Sequence, residues 1–226
     1  MNIIAIETAT SACSVGLRTS DGIEASRVST QSLRHAEVVT VMMSSLLDEC
    51  GLEARSIDRV VVDRGPGLFT GLRVGVASAV AFAQALGCEI VTVTSLELFA
   101  QCAHDARVRG TLVSCVDARR GEIFVQTFQL GEGVVALTAA TVTSAAALAA
   151  AWATSGAPVT FTGDGVVRYE QDFHAVANGQ RWDQSVPSVS AAIALGARRE
   201  PEYEVRPLYL RDADAVANFS TRDQRR

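Results

Sequence analysis

The chain has 226 residues, 48% of them hydrophobic and 20% charged, with a formal net charge of −5. That balance is ordinary for a globular protein, and the negative charge argues against gripping nucleic acid unaided, which needs a basic face. Lysine is absent, which excludes a Walker A lysine, a Schiff-base lysine and a lysine general base.

Met1–Glu7 carries no basic leader and meets an acid after a short apolar run, so it reads as a first strand rather than a signal peptide. No run approaches the about 18 apolar residues of a membrane helix, and a cytoplasmic protein is expected. After Ile3–Ile6, Cys13, Val15 and Leu17 alternate with polar or small residues, the period of a half-buried strand. Ile23–Val28, after the Asp21-Gly22 turn, completes an antiparallel meander. From Leu33 to Cys50 the apolar period becomes helical, with Gly51 placed to cap. Val60–Val62 is a β-branched buried strand, Thr70 to Leu86 a second helix ended by Gly87, and Ile90–Val93 another strand. Ser95 is placed to cap a helix through Cys102.

Residues 105–110 break the periodicity and mark a domain boundary, giving an N-terminal lobe over 1–106 and a C-terminal lobe over 107–211. The second half restarts with a strand at Leu112–Val116, a turn at Arg119–Gly121 and a strand at Ile123–Phe128. An Ala-rich helix (Ser144–Ala153), a strand (Val159–Thr162) and a helix near Val189–Arg198 follow, and 212–226 reads as a flexible tail. Two mixed α/β halves of similar size predict two α/β lobes without a convincing sequence repeat. The five scattered cysteines read as reduced thiols, and His35, His104 and His174 are too far apart for a local metal motif.

Gly65-Pro66-Gly67-Leu68-Phe69-Thr70-Gly71 joins strand to helix with an excess of backbone specialists. It is either a tight packing turn or an anion contact at a helix N-terminus, with Gly65, Gly67 and Thr70 as donors and Glu7 and Thr8 at the end of the first strand beside them. In the following helix Gly71, Gly75, Ala79 and Ala83 form a stripe with almost no side chain, suited to close packing. The other faces of both helices carry more apolar residues than one surface needs. That excess predicts a partner face of His35, Val38, Val39, Met42, Met43 and Leu46 on the first helix and Leu72, Arg73, Val76 and Val80 on the second. Asp117-Ala118-Arg119-Arg120-Gly121-Glu122 forms a turn whose paired arginines either hold an anion or are simply solvated.

Five segments together resemble the TsaB (YeaZ) family: Ile4–Thr10, His35-Ala36-Glu37, Gly65–Gly75, Val116–Glu122 and Pro207-Leu208-Tyr209-Leu210-Arg211. The resemblance spans nearly the whole chain, and the glycine loop and the Asp-Ala-Arg-Arg-Gly-Glu turn are its most specific parts. It implies a two-lobed α/β fold of the actin/Hsp70/sugar-kinase type, each lobe a mixed sheet with helices. It also implies a subunit without catalytic residues or metal ligands of its own. Its partners would be a TsaD-like catalytic subunit and a TsaE-like ATPase, with tRNA engaged indirectly through the complex. ATP would be used by that complex rather than bound by this chain, and the product would be threonylcarbamoyl on N6 of adenosine 37 in tRNAs reading codons that start with A. A homodimer of the isolated chain through the same face is a further expectation. Ser95 and Phe99 stand where TsaD-like chains resemble a two-histidine metal motif, and neither replaces an imidazole. Leu68 and Glu7 depart from the family pattern, in which serine and aspartate are common at these positions. The competing reading is an ATP-binding phosphotransferase or ATPase of the same superfold, with Glu7, Thr8 and the glycine loop around the phosphates.

Overall fold

Strand β1 (Ile3–Glu7) is buried along its whole length, and the first sheet grows outward from it on both sides. It pairs antiparallel with β2 (Cys13–Arg18), which pairs antiparallel with β3 (Glu24–Ser29). On its other edge it pairs parallel with β4 (Arg59–Asp63), followed by parallel β5 (Glu89–Val93). The computed structural model describes residues 1–30 and 35–211, so the expected tail at 212–226 and the side chains of His35 and Ala36 lie outside the described residues.

Alternation along these strands sends Ile4, Ile6, Val15, Val60 and Val62 to one face, under helices α1 (His35–Glu49) and α2 (Phe69–Leu86). Ile3, Ala5, Val61 and Val91 go to the other face. A sheet covered on both faces accounts for the unbroken apolar runs of β1 and β4. Gly51 and Gly87 close α1 and α2 in the left-handed region, at φ 64° and 68°.

The second sheet consists of β6 (Gly110–Arg119), β7 (Glu122–Leu130), β8 (Val134–Ala136), β9 (Thr141–Ser144), β10 (Val159–Thr162) and β11 (Gly179–Arg181). Read from β8, its order β8-β7-β6-β10-β11 repeats β3-β2-β1-β4-β5 strand for strand, two antiparallel pairings followed by two parallel ones. Strand β9 extends the β8 edge along the start of β7. Helix α4 (Ala145–Ser155) follows the meander as α1 does, and the short α5 (Asp164–Arg168) and α6 (Glu170–Phe173) stand where lobe 1 has α2. The repeat that the sequence conceals is plain in the topology.

The last helix of each unit packs on the other unit's sheet. From α3 (Ser95–Asp105), Leu96, Phe99 and Ala100 join Leu112, Val116, Phe124 and Phe128 of the second sheet. From α7 (Val189–Gly196), Val189, Ala192 and Ile193 join Ile3, Ala5 and Val61 of the first. Contact there is close: a Cβ at Gly196 would lie 2.3 Å from Val61 Cγ2. The connector 106–109 therefore joins two sheets whose covering helices have been exchanged.

Two expectations are corrected. The N-cap of α3 is Thr94, whose side chain accepts from the Glu97 N–H while Glu97 bonds back to the Thr94 backbone, a full capping box. Ser95 is one residue inside the helix and donates instead to Asp63 Oδ2 at 2.7 Å. Helix α2, with 18 residues, does have the length and composition to cross a bilayer. Its small-residue face, Gly71, Gly75, Ala79 and Ala83, is buried within lobe 1.

Candidate partner face and inter-lobe cleft

Parallel pairing of β1 and β4 brings Glu7 and Asp63 to adjacent strand ends on one face of the sheet, both fully buried. Glu7 Oε1 accepts the Thr10 N–H at 2.9 Å and its hydroxyl at 3.1 Å. Asp63 accepts the Gly65 N–H at 2.8 Å as well as the Ser95 hydroxyl. Burial, and then the charge of Asp63, push the Glu7 carboxyl up to about 8. Burial likewise pushes Asp63 up to about 7, against the opposing pull of its hydrogen bonds. Burial thus favours the protonated form of this pair, which is sealed from solvent.

The glycine loop is knitted to the turn after β1. Leu68 N–H donates to Ala9 O at 2.7 Å, and Thr8 Oγ1 donates to Gly71 O at 2.8 Å. A Cβ on Gly67 would lie 2.1 Å from Ala9 O, and one on Gly75 would lie 2.2 Å from Thr8 Oγ1. Gly65 adopts φ 100°. Of the residues read for anion contact, Glu7, Thr8 and Gly65 are buried with internal bonds, Gly67 abuts Ala9, and Thr70 alone is exposed. Ser95 is spent on Asp63, and Phe99 is buried under the second sheet.

Lobe 2 repeats the arrangement with Asp117 and Asp164, a pairing that sequence reasoning missed although each acid follows an apolar strand, as Glu7 and Asp63 do. Asp117 N–H donates to Asp164 Oδ1 at 3.0 Å. Asp117 accepts the Arg119 N–H and the Tyr169 hydroxyl, and pairs with the guanidinium groups of Arg119 and Arg168 at 3.0 and 3.3 Å. Burial and the neighbouring Asp117 charge raise Asp164 to about 6, against the pull of Arg119. A bulge at Asp117/Arg119 and left-handed backbone at Arg119, Arg120 and Gly121 turn the β6–β7 hairpin tip toward lobe 1. Between that tip and the start of α2 lies a cleft of about 480 Å³, walled by Leu68, Phe69, Leu72, Phe124 and Tyr209 and rimmed by Arg119, Arg120 and Arg211.

The residues chosen for the partner face mostly do not reach a surface. Val39, Met42, Met43, Leu46, Leu72 and Val76 are buried, packed into lobe 1 itself or, for Leu72, beneath the glycine loop. Val38 and Val80 are half-buried, Arg73 is exposed, and the His35 side chain lies outside the described residues. The apolar excess of both helices is consumed by a sheet covered on two sides. Outward, α1 presents Thr40, Val41, Ser44 and Ser45 between the exposed Glu37 and the exposed Asp48 and Glu49, with Val41 65% exposed, and α2 presents Arg73, Ala77, Ala81, Gln84 and Ala85 beyond the exposed Phe69 and Thr70 at its start. Small side chains thus occupy the middle of both helices' outward faces, with acids at the two ends of α1 and Arg73 on α2.

Two units of one topology, joined by exchanged helices around a cleft, define a two-lobed α/β fold of the actin/Hsp70/sugar-kinase type. Residues 24–194 match the family described as TsaD, tRNA N6-adenosine threonylcarbamoyltransferase, and the chain belongs to that family, within its TsaB (YeaZ) branch. It is 30% identical over 135 residues to the tRNA threonylcarbamoyladenosine biosynthesis protein TsaB of Bacillus subtilis, covering 60% of this chain and 58% of that protein. The TsaB protein of Escherichia coli is 32% identical over 132 residues, 58% of this chain and 57% of that protein. The chain thus spans little more than half the length of these curated relatives. A Pseudomonas aeruginosa structure with similarity to peptidase YEAZ superposes with a TM-score of 0.82 at 26% identity, over 93% of this chain and 99% of that one.

Proposed function

We propose that this chain is a partner subunit in tRNA threonylcarbamoyladenosine synthesis, pairing with a TsaD-type catalytic subunit through the outward faces of α1 and α2. In this reading the complex, with a TsaE-type ATPase, transfers threonylcarbamoyl to N6 of adenosine 37, and this chain supplies surface rather than chemistry. The observation that carries the reading is the run of small exposed side chains Thr40, Val41, Ser44, Ala77 and Ala81, which lets another helix pair approach closely, with Glu37 and Asp48 at its ends on α1. Family membership supports the choice of partner. Burial and internal bonding of Glu7, Thr8 and Gly65 weigh against the phosphotransferase reading, which needs those groups turned toward a nucleotide.

The test is reconstitution with TsaD, TsaE, ATP, threonylcarbamoyl-adenylate and tRNA. Wild-type chain should be required for modification, whereas Val41→Arg and Ala77→Arg should fold normally, lose TsaD in size-exclusion chromatography and fail to support modification. Full modification without the chain would sink the reading.

A further inference from the structure

We propose that residues 201–211 form a releasable clasp, which fastens the β6–β7 hairpin to lobe 1 and walls one side of the inter-lobe cleft. The segment leaves α7 and runs along the open edge of β5. There Glu202 N–H donates to Ile90 O at 2.8 Å, and Glu202 Oε1 accepts the Thr92 N–H and hydroxyl at 3.0 and 2.6 Å. Val205 packs against the lobe 1 core, and Leu208 N–H donates to Arg64 O at 2.7 Å. The Tyr209 ring lies 5.4 Å from that of Phe69, and its hydroxyl accepts Arg73 Nε at 3.1 Å, while the Arg73 guanidinium sits 3.8 Å over Phe69.

The crossing follows within two residues. Leu210 packs into the lobe 2 cluster that holds Phe124 and Phe128, and Arg211 pairs with Glu122 at the tip of the hairpin. Leu208, Tyr209, Leu210 and Arg211 thereby supply the cleft with a wall that neither sheet provides. The lobe 1 end is fixed by backbone bonds and an aromatic stack. At the lobe 2 end Leu210 packs on the second core and Arg211 makes a partly exposed ion pair with Glu122, and such a pair contributes little alone. Separation of the lobes from this wall therefore begins at Leu210 and Arg211.

Hydrogen–deuterium exchange on the full chain tests the clasp. In the wild type, amides of 208–211 and of the hairpin 119–122 should exchange together, well before those of β1 and β4. Leu210→Ser should speed exchange in both segments at least tenfold while β10 and α1 stay protected. Glu122→Arg or Arg211→Glu alone should do so more weakly, and the combined reversal, which restores an ion pair, should return the hairpin to wild-type exchange. Clasp amides as slow as β1, a hairpin indifferent to Leu210→Ser, or loosening spread evenly through both lobes would each overturn the proposal. Failure of the double reversal to restore protection would overturn the Arg211–Glu122 fastening.

Discussion

At Glu7 and Asp63 the chain keeps two carboxyls side by side in a dry interior, and the consequence is a measurable pH dependence. Both groups have pKa values raised above those of the unfolded chain, so the folded state holds a proton that the unfolded state has released. Their contribution to stability is complete below about pH 4 and is lost as pH rises through 7 to 8, with a slope of up to about 1.4 kcal/mol per pH unit for each retained proton. Thermal denaturation between pH 5 and 9 should show that decline, and Glu7→Gln should flatten it. A second prediction concerns the glycine loop. Gly75→Ala would drive a methyl into Thr8 Oγ1 and break its bond to Gly71 O, with an overpacking cost of about 1–3 kcal/mol by urea denaturation. The strand-end acids and the need for glycine at 67 and 75 are written in local sequence; the partners that make them necessary, Ala9 and Thr8, lie some 60 positions away.

For elements, the contrast between neighbouring α1 residues is the sharpest test. Val39→Arg places an unpaired charge in the core of lobe 1 and should destabilise it by about 3–5 kcal/mol or unfold it. Val41→Arg, two positions on and exposed, should leave the circular dichroism spectrum and melting temperature of the isolated chain unchanged. Removing the capping box with Thr94→Ala should cost about 1 kcal/mol. Hydrophobic period was enough to find α1, α2, β1, β4, β6 and β7. It did not say which apolar residues faced a partner, because a helix on a doubly covered sheet and a helix at an interface show the same excess. Short β8, β9 and β11 escaped because three or four residues carry too little pattern to separate a strand from a loop.

For the whole molecule, the exchange of α3 and α7 governs behaviour, and it was invisible in sequence: periodicity marks an apolar face but not which sheet covers it, and for α7 that sheet, built on β1 and β4, lies in the other half of the chain. Ile193→Ala, in α7, should destabilise the protein by about 2–5 kcal/mol and loosen β1 and β4 rather than the neighbouring β10 and β11, as exchange mass spectrometry would show. Trp182 packs against the clusters beneath both sheets and should report the same single unfolding transition as circular dichroism. The same exchange bears on how the protein could be cut. A fragment ending at 106 would leave Leu96, Phe99 and Ala100 of α3 without the second sheet and Ile3, Ala5 and Val61 without α7, and the complementary fragment would expose Phe124 and Phe128. Each should aggregate when expressed alone, and the two should yield a soluble heterodimer when co-expressed, each half acting as the other's folding partner.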